Sequence, residues 1–129
     1  MKILVIDDDD FVRMLARVSL SKVGGMDVTE ASSGPEGLVA AEQNRPDVIL
    51  LDVMMPGMDG PATFNALQAT TSTAGIPVIF LTAKAMPSEQ ARLSELGAIA
   101  VFTKPFDPLT LATEVRRAAD APRKLPDPS

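Results

Sequence analysis

Val48-Ile49-Leu50-Leu51-Asp52 is a run of four apolar residues that stops on a carboxylate. It does not alternate, so it lacks the pattern of a strand with one wet face. It is bounded too closely to be a helix. A strand buried on both faces, as in a parallel sheet, fits it best. Three more runs of the same kind stand at Ile3–Ile6, Val78–Leu81 and Ile99–Phe102, each bounded by polar or turn residues. Asp27-Val28-Thr29-Glu30-Ala31 does alternate, and reads as a fifth strand at a sheet edge.

Helix signals lie between the strands. Phe11, Met14, Leu15 and Val18 follow an aspartate cap candidate at i, i+3, i+4, i+7 spacing, and Gly24-Gly25 ends that segment. Pro35 opens a second helix carrying Leu38 and Ala41, which Asn44-Arg45-Pro46 stops. A third spans about 61–69 with Phe64 and Leu67 on one face. Pro87 opens a fourth, with Ala91, Leu93 and Leu96 inward and Gly97 closing it. The fifth follows Asp107-Pro108, with Leu111, Val115 and Ala118-Ala119 as its stripe. Five βα units in strict alternation predict an open parallel sheet with helices on both faces. The expected organisation is one α/β domain over 1–121 and a short flexible tail over 122–129.

The bulk numbers narrow the chemistry. The chain has 129 residues, 46% of them hydrophobic, enough for a single packed core. The net charge of −5 argues against nucleic acid as a direct partner. The basic pairs Arg116-Arg117 and Arg123-Lys124 read as solvated surface. Without cysteine there is no disulfide or thiolate zinc site. Without histidine the commonest general base is gone, and any metal must be held by oxygen. No apolar run approaches a membrane span and Ile3–Ile6 is too short for a signal segment, so the expectation is a cytoplasmic protein without membrane contact.

The residues just beyond each strand are polar. Asp7, Asp8, Asp9 and Asp10 follow the first, Asp52 the third, Thr82 the fourth, and Thr103-Lys104 the fifth. In doubly wound sheets ligands bind beyond the carboxyl ends of the strands. Asp9 and Asp10 read as cap or turn formers, whereas Asp7 and Asp8 leave the strand first and point to the site. Clustered carboxylates repel unless cations sit among them. Lys104 offsets one charge, and a hard divalent cation would offset two more. Such a cation favours phosphate oxygens, and Asp52, between the acidic pair and Lys104, is the nucleophile candidate.

These segments resemble the receiver domains of two-component response regulators. The opening strand with Asp7-Asp8-Asp9, the segment Pro46 through Asp52 to Gly60, Pro77 through Thr82-Ala83, and Gly97 through Lys104-Pro105-Phe106 match the family in order and spacing. The resemblance implies a flavodoxin-like strand order 2-1-3-4-5. It implies that Asp52 accepts a phosphoryl group from a phosphohistidine on a histidine kinase or histidine phosphotransfer protein. It implies Mg²⁺, with Mn²⁺ as a substitute, on Asp7, Asp8, Asp52 and the Met54 main-chain carbonyl. Thr82 would bind the phosphoryl oxygen, Lys104 would pair with Asp52 or its phosphate, and Pro105 would follow a cis peptide. Gly57 and Gly60 would serve the turn after Asp52 through positive φ.

The protein would catalyse only its own phosphorylation and dephosphorylation, and would act on an unknown downstream protein as a monomer or weak dimer. Phe11, Val12 and Pro105-Phe106 are docking candidates. Met54 and Lys84 would flank the path of an attacking water. One position departs from the family: Val101 stands where many members carry a switch aromatic three residues before the lysine. Phe102, one step along, faces the other side of the sheet. Movement of Thr82 would then be read through residues 83–87 and the fourth helix.

Other readings compete. The module could belong to a hybrid kinase or a longer regulator. An aspartyl-phosphate phosphatase of the haloacid-dehalogenase type would need a second acid where this chain has Met54. A flavin binder would place its phosphate against the aspartates and would have no Trp or Tyr to stack on the ring.

Overall fold

The computed structural model describes residues 1–84 and 86–121. The expected tail over 122–129, with Arg123-Lys124, lies outside the described residues, as does Ala85 within the 83–87 segment. The elements are β1 (Lys2–Ile6), α1 (Asp10–Val18) running into a π-helical turn (Ser19–Val23), β2 (Asp27–Ala31), α2 (Gly34–Asn44), β3 (Val48–Asp52), α3 (Gly60–Ala69), β4 (Val78–Thr82), α4 (Pro87–Leu96), β5 (Ala100–Thr103) and α5 (Leu111–Asp120). The strands form one parallel sheet in the order β2-β1-β3-β4-β5.

The unbroken apolar runs are explained by two cores, one on each face of this sheet. Leu4, Ile6, Ile49, Leu51 and Phe80 point to the face covered by α2, α3 and α4, where they meet Phe64, Leu67 and Leu93. Ile3, Val5, Leu50, Ile79 and Leu81 point to the other, where Ala16, Leu20, Leu111 and Val115 close over them. Successive side chains along a strand thus serve opposite cores. Burying each such side chain stabilises by about 1.5–3 kcal/mol. The sheet's rims differ from its centre. β2 is the expected edge strand, and β5 forms the other edge with only half-buried side chains, although its run had the look of a central strand.

The helices carry two corrections. The buried stripe of α1 is not Phe11, Met14, Leu15 and Val18. Phe11 is 65% exposed, and Met14 and Val18 are also exposed. The face turned inward is Val12, Ala16 and Leu20, with Ser19 buried beside it. These positions, at i, i+4, i+7 and i+8, form a helical stripe that begins one residue further on. Ser19 also donates from its hydroxyl to the Pro108 carbonyl, which ties this helix to the segment before α5. In α4, Leu93 is buried and Leu96 half-buried, but Ala91 is exposed.

Helix ends follow the caps. Asp9, Ser33 and Asp59 each accept main-chain N–H groups at the starts of α1, α2 and α3. Arg45 and Gly97 adopt left-handed conformations at the ends of α2 and α4.

Candidate functional site: an acid cluster at the carboxyl edge of the sheet

Strand register brings the polar residues to one rim. Asp52 ends β3 opposite Leu81, Thr82 ends β4 opposite Thr103, and Lys104 leaves β5 one residue later, its N–H donating to the Thr82 carbonyl at 2.7 Å. On the other side β1 runs beside β3 and releases Asp7. The Asp7 N–H donates to the Ala31 carbonyl at 3.1 Å, so the chain is still held by the sheet when it reaches the first acid.

Asp7 and Asp52 are buried, and Asp8 is exposed. The Asp9 N–H donates to Asp7 Oδ1 at 2.9 Å, closing a tight turn. The Asp9 carboxylate meanwhile accepts from Phe11 and Val12. Asp9 is therefore a cap, and Asp10 an ion-pair partner of Arg13 at 2.6 Å. One carboxylate oxygen each from Asp7, Asp8 and Asp52 lie within 4.8 Å of one another. Lys104 Nζ stands 2.9 Å from Asp7 Oδ2 and 3.1 Å from Asp52 Oδ1. The Met54 N–H donates to Asp52 Oδ1 at 3.3 Å, and its side chain is exposed. The buried Thr82 hydroxyl accepts the Lys84 N–H at 3.0 Å.

The electrostatics follow from this crowding. Burial, and then the Asp7 charge, push the Asp52 carboxyl up from 3.8 to about 7, against the pull of Lys104. Burial opposes the Lys104 charge, yet contact with Asp7 and Asp52 outweighs it and holds the ammonium above its usual range. Asp7 Oδ2 is buried with that ammonium beside it but has no aligned hydrogen bond. An under-satisfied buried oxygen beside two further carboxylates is a donor set suited to a hard divalent cation.

The surrounding backbone matches the expectations at Gly57 and Pro105 and departs from them at Gly60. Gly57 has φ 75°, as a glycine-requiring turn should. Gly60 does not depend on positive φ. A Cβ there would stand 2.5 Å from the Asp52 carbonyl oxygen and 2.7 Å from the Val53 Cα, so the need is for close approach. The Lys104–Pro105 peptide is cis. Val101 packs against the core that holds Phe80 and Leu51, while Phe102 packs with the opposite core, as the alternation along a strand requires.

Arg13 is the residue that sequence reasoning missed. Its Nη1 donates to the Asp7 carbonyl at 2.8 Å. The i, i+3 spacing of Asp10 and Arg13 is the one signal the sequence carries, and by itself it points only to a pair on the helix surface.

Together, the sheet order and the acid cluster define a doubly wound α/β domain with an acidic pocket at the carboxyl rim of its sheet. The family model described as the response regulator receiver domain matches residues 3–116, and the chain belongs to that family. Members are phosphoacceptor signalling domains that receive phosphate from histidine kinases and bind Mg²⁺ in an acidic pocket.

Among curated relatives, the DNA-binding dual master transcriptional regulator RpaA of Synechocystis sp. is 35% identical over 97% of this chain and 52% of its own length. The alkaline phosphatase synthesis transcriptional regulatory protein PhoP of Bacillus subtilis is 38% identical over 89% of this chain and 47% of its own. The chain thus spans about half the length of these relatives. Among solved structures, the chemotaxis protein CheY4 of Vibrio cholerae superposes with TM-score 0.84 at 32% identity, covering 91% of this chain and 97% of its own. Among the described residues no helix is long and apolar enough to cross a membrane.

Proposed function

We propose that this chain is a signalling switch that takes a phosphoryl group on Asp52 from a phosphohistidine of a kinase or phosphotransfer protein. One observation carries the reading: Asp52 ends the central strand with the Lys104 ammonium 3.1 Å away and the Asp7 and Asp8 oxygens clustered beside it. In the reaction an Asp52 oxygen attacks phosphorus, the bond from phosphorus to the donor nitrogen breaks, and the imidazole leaves. Asp7, Asp8, Asp52 and the Met54 carbonyl would hold Mg²⁺, which when bound would supply charge neutralisation for the transferring group. Lys104 supplies the second positive charge and holds Asp52 in place. Thr82, at the same rim, would receive a phosphoryl oxygen once its hydroxyl leaves the Lys84 N–H. The protein needs no histidine base, because positioning and charge neutralisation suffice.

Output runs through contact with another protein. The acidic net charge supports this over direct contact of the domain with nucleic acid. The names of the longer relatives support a second reading, in which the domain governs a DNA-binding partner module. The switch domain spans residues 1–121.

Incubation with acetyl phosphate and Mg²⁺, followed by mass analysis, tests the acceptor. The parent should gain one phosphate and Asp52→Asn none. A gain that persists in Asp52→Asn would overturn the assignment.

A further inference from the structure

We propose that Arg13 is a positioning residue that fixes the Asp7–Asp8 peptide so that both acids face the cation. The inference rests on the reading of Asp7, Asp8 and Asp52 as an Mg²⁺ pocket. It adds a residue outside that pocket, on α1.

The guanidinium of Arg13 is held at three points. Nη1 donates to the Asp7 carbonyl at 2.8 Å, Nη2 contacts Asp10 Oδ1 at 2.6 Å, and Nε lies 3.3 Å from Glu30 Oε1 on β2. Glu30 is itself steadied by Arg17 at 3.0 Å. The Arg13 side chain is only 16% exposed. A planar fork held this way has little freedom left, which distinguishes it from an ordinary surface pair.

The contact that matters is the main-chain one. The Asp7 carbonyl belongs to the peptide plane from which Asp8 departs. Fixing that oxygen fixes the plane and with it the position of the Asp8 Cα, so that rotation about the Asp8 N–Cα bond and its side-chain torsions are what remain. Asp7 is already anchored by its own N–H to Ala31 and by its carboxylate to the Asp9 N–H. Asp8 is exposed, and the link through Arg13 orders the peptide that bears it.

Charge and position make opposite demands. Arg13 is a cation near an acid cluster, so simple removal of its charge would tighten cation binding. Loss of the positioning contact would weaken it. The sign of the change therefore separates the two roles.

The test uses Mn²⁺ alone as the probe, with the free ion followed by electron paramagnetic resonance, and needs no phosphorylation. The variants are Arg13→Met, which keeps side-chain length and removes charge and donors, and Arg13→Lys, which keeps a charged donor. Thermal melts confirm folding of each. Arg13→Met should bind Mn²⁺ about tenfold more weakly, the scale typical of contacts that orient metal ligands. Arg13→Lys should recover most of that loss. Arg13→Met that binds as tightly as the parent, or more tightly, overturns the inference and leaves the pocket standing. So does a folded Arg13→Lys as weak as Arg13→Met. A parent that binds no Mn²⁺ overturns the pocket and the inference together.

Discussion

Asp52 carries a burden in the metal-free protein. Its carboxyl is pushed from 3.8 to about 7 by burial and by Asp7. Between those values the folded chain holds a proton that the unfolded chain has given up. The stabilising contribution of that proton is complete below 3.8 and is lost as pH rises through about 7. Asp52→Asn removes the titration while keeping the shape. In urea unfolding without divalent cation, it should stabilise the protein by about 1–2 kcal/mol at pH 8 and by less at pH 5. Equal effects at the two pH values would contradict burial and the Asp7 charge as the source of the shift. At this scale the sequence was informative about type and poor about contact. Asp7, Asp8, Asp52 and Lys104 were legible because each follows a strand end. The Arg13 fork was not, because a hydrogen bond to a carbonyl leaves no mark in residue identity.

The helices show where periodicity is ambiguous. In α1 two overlapping stripes satisfy the same spacing. Phe11, Met14 and Val18 are the more hydrophobic set, yet Ala16 and, in the following turn, Leu20 are buried, with Val12 half-buried beside them. Hydrophobicity alone could not choose between stripes one residue apart, because both have helical spacing. Phe11→Ala should therefore change stability by less than about 0.5 kcal/mol, whereas Leu20→Ala should cost about 2–5 kcal/mol. Denaturant midpoints of the two variants check this. If the exposed Phe11 serves partner docking, the same variant should slow phosphotransfer from a cognate donor while leaving acetyl phosphate labelling intact. The strands were more legible than the helices, because a run buried on both faces admits only one placement. Only the half-buried β5 departs from that pattern, and its place at the rim is set by strand order, which a short run of residues does not encode.

For the molecule as a whole, the acid cluster should link stability to cation supply. At pH 8 the proton on Asp52 is absent and the repulsion is greatest. Mg²⁺ at about ten times its Kd should then add about 1.4 kcal/mol, or roughly 3–6 °C in Tm. At pH 5.5 the cation must displace a proton from Asp52, and the same concentration should raise Tm by less. Differential scanning calorimetry with Mg²⁺ and with chelator at both pH values measures the contrast. A shift independent of pH would argue against Asp52 as a ligand. The two-core sheet and its strand order were readable from the sequence and its resemblance to the receiver family. The balance among these charges needed the distances.

The seam between Asp52 and Gly60 has a mechanical consequence. With no room for even a methyl group between the start of α3 and the Asp52 carbonyl, and with the Gly60 N–H bonded to the Val53 carbonyl at 2.9 Å, β3 and this helix are joined like two links of one bracket. A side chain at position 60 would have to push the start of α3 and the end of β3 apart, so Gly60→Ala should disturb the backbone that carries Asp52.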